Sequence, residues 1–284
     1  MILRWLWIGL ALTGCATPVT LRNSTLQVTL QPHFGRVTHI ALPWDSTVLH
    51  FDPASQENIG GEFLWTVAHH YWKPLLGRTW PPPVVMDSGS WHVCAVTDQM
   101  CSIERTAGAP LYLHAFRCYR IHGQRLTITQ QLTRTAPSRV PVTLWSILQI
   151  NHPQLLTLPG AARPVETDAW PALSNTNSDR TVVRFAGAGD TAFKLCSSAL
   201  PAWVEAQTAQ SRIVYRVTAT NHSTGYPDDN CPIELWWNEA AGYAELELLS
   251  PERNLAPGET LANEVEMEFY PWPAPADGRS PALN

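Results

Sequence analysis

Short runs in which apolar and polar residues alternate recur along most of the chain. The segment TLQVTL, residues 25–30, has an apolar residue at every second position, as expected for a strand with one buried face. These runs are rich in Val, Thr, Ile, Trp and Tyr, and Pro, Gly or Asp separates them. The pattern predicts strands at residues 25–30, 36–42, 47–51, 91–96, 101–106, 111–121, 124–133, 140–150, 181–185, 191–196, 203–207, 212–218, 233–237, 243–249 and 264–270.

Helical periodicity is missing from the chain after residue 14. No run of twelve residues there has the i, i+3, i+4 apolar spacing of an amphipathic helix, and no sequence repeat of fixed period occurs. No segment resembles a linker between domains. We therefore expect one large all-β sandwich domain over residues 25–272, followed by a loose Pro- and Ala-rich tail at 273–284.

Two long segments, residues 52–90 and 151–180, interrupt the strand pattern and are predicted to be loops. Loops of this length inside a compact domain usually carry function. The first segment concentrates aromatic, histidine and cationic side chains, which suit the wall of a site for a polar ligand with apolar faces. These candidate ligand-binding residues are Trp65, His69, His70, Trp72, Arg78 and Trp80.

The N-terminus has the pattern of an export signal. Arg4 precedes an apolar run at residues 5–12, which is too short to span a bilayer as a mature helix, and the tetrapeptide LTGC follows at 12–15. The tetrapeptide resembles a bacterial lipobox. That resemblance implies a signal peptide at 1–14, membrane attachment through lipidated Cys15 and a tether at 15–24. The alternatives are a plain secretory signal and a short core segment.

Ala16, where inner-membrane lipoproteins carry Asp, favours the outer membrane, with the protein facing the periplasm.

Composition limits the classes of partner and fold. The net charge is -5 and no basic patch occurs, so a nucleic-acid partner is not expected. Hydrophobic residues make up 45% of the chain, which is enough for a large core. The 13 Trp fit either a heavy core or platforms for sugar rings, and composition does not distinguish the two.

The chain has six cysteines, so five remain besides Cys15, and an export signal would place them in an oxidising compartment. Because five is odd, at least one is free or pairs with another chain. Two intrachain pairs suggest themselves, Cys94 with Cys101 across a hairpin and Cys196 with Cys231. Cys118 is the fifth cysteine. The spacing does not fit a zinc site.

Glu245 and Glu247 are the candidate acid–base residues. In the predicted strand at 243–249, side chains two residues apart share a face, so both carboxylates point the same way. A buried carboxylate is unfavourable unless a partner compensates it. The pair therefore indicates either a site that exchanges protons with a sugar hydroxyl or a solvated strand face.

Other polar residues are weaker candidates. His70 is a candidate general acid, and His69 a hydrogen-bond donor to hydroxyls. Adjacent histidines point in different directions and no His-x-x-x-His motif occurs, so no metal is expected. Lys194 and Arg36 each suit pairing with a carboxylate or a ligand, and the alternative is a solvated edge charge.

Trp236 and Trp237 must face opposite sides of a strand, so at most one of them faces a given core layer. Trp236 is the candidate for stacking on a sugar. Calcium is conceivable at the Asp-rich turn 224–229, although a plain turn fits better. Serine-nucleophile, P-loop and dinucleotide motifs do not occur, and no cofactor is expected.

Several motifs together resemble the galactose mutarotase-like (aldose 1-epimerase-like) superfamily and, more closely, a bacterial lipoprotein family within it. They are Gly35-Arg36-Val37, the segment from Gly60-Gly61 to Trp65, Trp80-Pro81-Pro82, Leu144-Trp145, Lys194 and the ending AELELLSPERNLAPGE at 244–259. The resemblance spans roughly residues 26–270. It implies a β-supersandwich that binds a sugar in a cleft on its concave sheet.

The resemblance also implies catalytic residues. In that superfamily the general base is a Glu shortly before a Leu-x-Pro-Gly-Glu turn, here residues 255–259, which matches Glu247 or Glu245, with Glu247 preferred. The general acid is a His on a central strand. The comparable strand here, 141–149, contains Ser146 but no His, and His152 would replace it only if the strand register shifted.

We therefore expect an exported, lipid-anchored protein that binds carbohydrate between the 60–82 loop, Lys194 and the two glutamates. Proton transfer on a sugar is the expected reaction if it is an enzyme. The alternatives are a non-catalytic glycan-binding module and a structural envelope lipoprotein. The sequence indicates no protein partner.

Overall fold

The computed structural model describes residues 17–55, 59–77, 79, 82, 86–87, 89–165, 174–185, 192–219, 225–238 and 240–273. The predicted signal peptide, Cys15, Arg78, Trp80 and most of the predicted tail lie outside the described residues. Among the described helices, none has the length and apolar character needed to cross a membrane.

The described residues form 19 strands and a few single helical turns. The strands are β1 Val19–Arg22, β2 Gln27–Gln31, β3 Arg36–Ala41, β4 Glu62–Trp65, β5 His92–Val96, β6 Met100–Ala107, β7 Leu113–His122, β8 Arg125–Arg134, β9 Trp145–Asn151, β10 Leu155–Pro159, β11 Arg163–Pro164, β12 Ser174–Thr176, β13 Arg180–Arg184, β14 Phe193–Ser197, β15 Trp203–Gln207, β16 Ser211–Ala219, β17 Ile233–Asn238, β18 Tyr243–Leu249 and β19 Thr260–Pro271. A 3-10 turn at His69–Tyr71 leads into α1 Trp72–Leu76, and α2 is the single turn Pro227–Asn230.

The strands form two antiparallel sheets. The first sheet has the order β1-β2-β3-β4-β9-β18-β17-β14-β11, and the second has β12-β13-β10-β15-β16-β19-β8-β7-β6-β5. One continuous apolar cluster contains side chains from both, for example Leu246 of β18 and Val265 of β19. The sheets therefore pack face to face as a sandwich, which confirms the predicted fold class.

Burial along the strands explains this packing. In β8, side chains alternate between buried and accessible, with Leu126, Ile128 and Leu132 buried in the core, as expected for a strand with one face in water. Strand β18 is different because all its residues are buried, so both of its faces are covered. Its outer face, which points away from the second sheet, carries Glu245 and Glu247.

The strands predicted at 203–207 and 243–249 have the observed bounds of β15 and β18, and most others agree within a few residues. The predicted strand at 47–51 is wrong, since Leu49 and Phe51 form only isolated bridges to Ile150 and Gly60. The predicted strand at 140–150 begins only at Trp145.

The predicted loops and tether also require correction. Strand β4 lies inside the predicted loop 52–90, and β10, β11 and β12 lie inside the predicted loop 151–180. All four residues of β4 are buried, so it lacks the alternation that identified the other strands. Strand β1 lies within the predicted tether 15–24, where it pairs with β2 and buries Leu21.

A disulfide joins Cys196 of β14 to Cys231, which follows α2. This is one of the two predicted pairs; the other, Cys94 with Cys101, does not form. The pairing of β5 with β6 is irregular between Val93 and Ala95, and Cys101 lies opposite Val96. Cys94 is an exposed free thiol, and Cys101 and Cys118 are buried free thiols.

Candidate functional site

The register of four neighbouring strands builds one row of side chains across the outer face of the first sheet. Lys194 of β14 pairs with Trp236 of β17, Trp236 pairs with Glu245 of β18, and Glu245 pairs with Gln149 of β9. Directly paired residues in an antiparallel sheet project from the same face. We call these four residues the accessible row, because Lys194 and Trp236 are both partly exposed.

A second row lies beside it, displaced by two residues on each of the same four strands. Cys196, Glu234, Glu247 and Ile147 pair across the same strands in the same way. We call it the buried row, since Glu234 is 0% and Glu247 1% exposed. Glu245 is 8% exposed. The two predicted glutamates therefore share one face, and the alternative that they lie on a solvated strand face is wrong.

Two donors hold the carboxylate of Glu247. The indole Nε1–H of Trp145 donates to Glu247 Oε2 over 2.7 Å, and Lys194 Nζ lies 3.4 Å from the same oxygen. Lys194 Nζ also lies 2.7 Å from Oε2 of Glu234 and 4.9 Å from the centre of the Trp145 ring. Lys194 thus bridges two buried carboxylates, and the alternative that it is a solvated edge charge is wrong.

The charges in this cluster alter proton affinity. Burial alone would lower the pKa of Lys194, but Glu234 and Glu247 raise it above its ordinary value. Burial raises the pKa of Glu234 well above its ordinary value, and Glu247 and Asp228 add to this rise while Lys194 opposes it. The two carboxylates therefore favour the ammonium form of Lys194, while the pKa of Glu234 lies above its ordinary value.

The other glutamate, Glu245, lies at the accessible end of the site. Its Oε1 accepts a hydrogen bond from Gln149 Nε2 over 2.5 Å. Beyond it, the rings of Trp236 and Tyr243 are 5.3 Å apart, and His50 stacks on Tyr243 with ring centres 4.2 Å apart. Three aromatic rings thus form a connected group that begins at Trp236, which is the ring paired with Glu245 in the accessible row.

Sequence reasoning did not identify His50 as part of the site. The residue is half-buried, and its Nδ1 lies 3.3 Å from Asn151 Oδ1. Burial lowers the pKa of His50, although Asn151 and Asp52 act in the opposite direction. The imidazole is therefore neutral near pH 7.

Part of the segment predicted to be a functional loop covers the outer face. Trp65 and Trp72 pack edge to face with ring centres 4.9 Å apart, and Trp72 is 1% exposed. Trp65 Nε1–H donates to Asp87 over 2.8 Å, and Asp87 also forms an ion pair with buried Arg36. These two tryptophans pack against each other on the outer face. Because Arg36 is buried and paired with Asp87, the alternative that it is a solvated edge charge is wrong.

The two predicted histidines lie at the edge of this cover and point in different directions. His69 Nε2 lies 3.1 Å from the carbonyl oxygen of Thr79. His70 Nε2 lies 3.5 Å from Glu252 Oε1 and is partly exposed. His70 lines a surface cavity of about 360 Å³ together with Arg163, Pro164, Val165, Asp228 and Asp229.

The turn α2 connects this cavity to the buried row. Asp228 (φ 49°) and Asp229 (φ 58°) have left-handed backbone conformations, which are strained for residues other than glycine. Arg163 Nη2 donates to the Asp228 carbonyl over 2.8 Å, and the disulfide of Cys231 fixes the end of the turn. The Asp228 carboxylate faces Glu234, so it extends the buried cluster toward the surface.

The shifted register that would introduce His152 is not adopted. In β9 the outer face carries Trp145, Ile147 and Gln149, and Asn151 pairs with Tyr243 at the far end of β18. Ser146 points into the sandwich, where it accepts a hydrogen bond from Gln130 over 2.5 Å. His152 lies beyond the strand, and its N–H bonds to the Gly242 carbonyl over 2.8 Å.

Within the described parts of the chain, no group of three or more His, Cys, Asp or Glu side chains is arranged to hold a metal ion.

Comparison with known proteins identifies the fold. No protein-family model and no curated protein matches the sequence. The galactose mutarotase related enzyme from Lactobacillus acidophilus is similar in structure, with a TM-score of 0.64 at 9% identity over 89% of this chain and 97% of that one. A galactose mutarotase-like protein from Lactobacillus casei ATCC 334 gives a TM-score of 0.60 at 12% identity, covering 89% and 100%.

The galactose 1-epimerase from Lactobacillus acidophilus NCFM gives a TM-score of 0.55 at 12% identity, covering 89% of this chain and 94% of that one. At such low identity, these similarities establish the fold and leave function open. The chain has the galactose mutarotase-like β-sandwich fold, as the sequence motifs predicted.

Proposed function

We propose that the protein binds a carbohydrate on the outer face of the first sheet. The observation that carries this proposal is the accessible row, in which an ammonium, an indole ring and a carboxylate follow one another across three strands. An indole stacks on the apolar face of a sugar ring, while the charged groups on either side bind hydroxyls. Trp236 would form the platform, and Lys194 and Glu245 would fix the orientation.

The similar structures support this ligand class. One of them is named a galactose mutarotase related enzyme and another a galactose 1-epimerase, and both names refer to a sugar. In this chain the carboxylates predicted from the superfamily motifs lie on one sheet face beside the platform. By analogy with these structures, the proposed ligand of this chain is a free sugar.

A second candidate function is catalysis of proton transfer at the anomeric centre. Glu245, which is 8% exposed, would take the proton of the anomeric hydroxyl, since Glu247, the base preferred from the sequence, is only 1% exposed. The bond between the anomeric carbon and the ring oxygen would break as the carbonyl forms, and the ring oxygen would receive a proton. The buried carboxylates favour this function. His70 is the predicted acid, and its partner in the structure is Glu252.

We also propose that the protein is exported and anchored in the bacterial envelope through lipidated Cys15, on the periplasmic side of the outer membrane. The support is the apolar run at 5–12 followed by the tetrapeptide at 12–15. Mass spectrometry of the mature N-terminal peptide tests this. A diacylated Cys15 is expected, whereas an unprocessed or unmodified N-terminus would overturn the proposal.

NMR on the chain from residue 16 onward, which contains all described residues, tests the sugar proposal. Saturation transfer to free aldoses reports contact, and exchange between anomers reports turnover. We expect contact that is lost in Trp236→Ala and kept in Glu104→Gln, a control on the second sheet whose carboxylate pairs with His114.

The behaviour of Glu247→Gln and Glu245→Gln then separates the two functions. Faster anomer exchange that either substitution abolishes would establish an enzyme, and contact without exchange would leave a binding protein. Absence of contact with any monosaccharide or oligosaccharide would overturn carbohydrate binding and favour the structural envelope lipoprotein.

A further inference from the structure

Glu234 is a carboxylate that the accessible row does not use. Its side chain is 0% exposed, so a ligand on the sheet cannot touch it in this conformation. Its Oε2 lies 2.7 Å from Lys194 Nζ, which is shorter than the 3.4 Å from Lys194 to Glu247. Lys194, which contacts Glu234 and is itself partly exposed, therefore connects Glu234 to the accessible row.

Glu234 is surrounded by two other carboxyl groups and one ammonium. Glu247 of β18 lies directly opposite it in the strand pairing, and like charges in that arrangement repel each other. Lys194 reaches it from β14, and Asp228 faces it from α2. One ammonium thus serves two fully buried carboxylates, while a third carboxylate lies nearby.

Stability alone does not account for this cluster. Well-packed apolar residues in place of a buried ion pair usually stabilise a protein as well or better, because burying charges has a large desolvation cost. The disulfide and the strained turn α2 hold the same region in place. Buried charge, backbone strain and a covalent tie in one place point to a geometry that serves function.

The geometry of Lys194 suggests what that function is. An ammonium has three N–H donors. The ion pairs with Glu234 and Glu247 occupy at most two of them, which leaves at least one for another acceptor. Lys194 also pairs with Trp236 in the accessible row, and its side chain is 12% exposed. The backbone of Lys194 therefore lies in the accessible row, while its ammonium lies over Trp145 beside the carboxylates of the buried row.

We propose that Glu234 is a positioning residue, which holds the Lys194 ammonium over the Trp145 ring, next to the accessible row, so that an N–H of Lys194 donates to a hydroxyl of the bound sugar. This inference rests on the proposed carbohydrate binding. It adds Lys194 as the donor to a sugar hydroxyl and Glu234 as the residue that positions that donor. Glu234 restricts the long, flexible lysine side chain before the ligand arrives, so less conformational entropy is lost on binding.

The sequence offers a direct probe, because the chain contains only two lysines, Lys73 and Lys194. Protein labelled with ¹⁵N-lysine gives one ammonium signal from each, and Lys73→Met assigns them. Lys73 is exposed, so its protons exchange rapidly with water and its signal broadens. Lys194 is held by two carboxylates, so a sharp ammonium signal is expected in the free protein.

The first arm of the test is titration of the labelled protein with galactose and glucose, with binding followed separately by saturation transfer. A sugar that binds should shift the Lys194 ammonium signal and leave Lys73 unchanged. An unmoved Lys194 signal during demonstrated binding would overturn the proposal. If no sugar binds, the proposed function fails, whereas the second arm still tests whether Glu234 positions the lysine.

The second arm compares Glu234→Gln with the control Glu104→Gln. In Glu234→Gln we expect the Lys194 signal of the free protein to broaden and the sugar affinity to fall about tenfold. The control Glu104→Gln should leave the Lys194 signal and the sugar affinity unchanged. A sharp signal with unchanged affinity would overturn the positioning role. If Glu234→Gln does not fold, Glu234→Asp, which withdraws the carboxylate by one methylene, is compared by the same two readouts.

Discussion

The indole of Trp145 and the carboxylate of Glu247 form a hydrogen bond of 2.7 Å between neighbouring strands, in an environment that excludes water. The bond is diagonal, since Trp145 pairs with Leu249 and Glu247 pairs with Ile147. Trp145 and Lys194 therefore both contact the same oxygen of this carboxylate, Oε2. Glu247 is held in place before any ligand arrives.

Removal of this donor should destabilise the protein. In Trp145→Phe a buried carboxylate loses a charge-assisted hydrogen bond, for which we expect a loss of about 1.5–3 kcal/mol in the free energy of unfolding, in addition to the cost of the smaller ring. Urea denaturation measures this loss. Trp203→Phe, at a half-buried position on the second sheet, controls for the change of ring.

A double-mutant cycle with Glu247→Gln isolates the bond itself. A coupling energy of at least about 1 kcal/mol between positions 145 and 247 is expected. Additive effects of the two substitutions would show that the indole stabilises the fold by packing alone.

Trp236 and Trp237 provide a matched pair, since they are adjacent in β17 and face opposite sides of the sheet. Trp237 is 4% exposed and lies against Phe185, with ring centres 3.8 Å apart, whereas Trp236 is half-buried beside Glu245. Trp237→Ala should lower the free energy of unfolding by about 3–5 kcal/mol, because it empties a core position.

For Trp236→Ala we expect a smaller loss of stability and at least a tenfold loss of sugar affinity, which corresponds to about 1.4 kcal/mol. Thermal unfolding and saturation-transfer titration on the same samples make the comparison. Equal losses of stability with intact sugar binding would remove Trp236 from the site.

The disulfide should stabilise both the fold and the site. It joins residues 35 apart in sequence, so the loss of chain entropy in the unfolded state predicts about 3–4 kcal/mol of stabilisation. We expect Cys196→Ser/Cys231→Ser to lose most of this in denaturant unfolding under oxidising conditions. Cys94→Ser, which alters an exposed thiol, should change stability by less than about 0.5 kcal/mol.

The same double variant should broaden the Lys194 ammonium signal, because Cys196 lies two residues from Lys194 in β14 and Cys231 ends the turn that carries Asp228. A variant that is less stable yet has an unchanged Lys194 signal would restrict the disulfide to a purely structural role.

Alternation of apolar and polar residues predicted most of the sandwich, since strands such as β8 have one face in the core and one in water. The same rule placed Glu245 with Glu247 and separated Trp236 from Trp237. It did not identify β4, whose residues are all buried, nor β11, which is only two residues long. Local patterning carries no signal for such strands.

The partners within the site could not be predicted, because they arise from strand pairing between distant parts of the chain. Glu234 gains its role from Lys194, forty positions earlier, and His50 meets Tyr243 only through the folded sheet. Nothing in the neighbouring sequence of Glu234 distinguishes it from a solvated strand residue. The burial that does so is a property of the fold.

Glu234 should also make stability depend on pH. Burial, with Glu247 and Asp228, raises its pKa well above the ordinary value of 4.5, so the folded protein keeps a proton that the unfolded chain releases. The folded state binds more protons between those two pKa values, and stability therefore falls as pH rises through that window, by up to about 1.4 kcal/mol per pH unit.

Glu234→Gln should lack this component, while other groups with raised pKa values, such as Glu252, contribute to both proteins. Urea denaturation from about pH 5 to pH 8 measures the two slopes. Equal slopes would mean that Glu234 releases its proton in the folded protein as readily as in the unfolded chain, and that the buried row carries two ionised carboxylates around one ammonium.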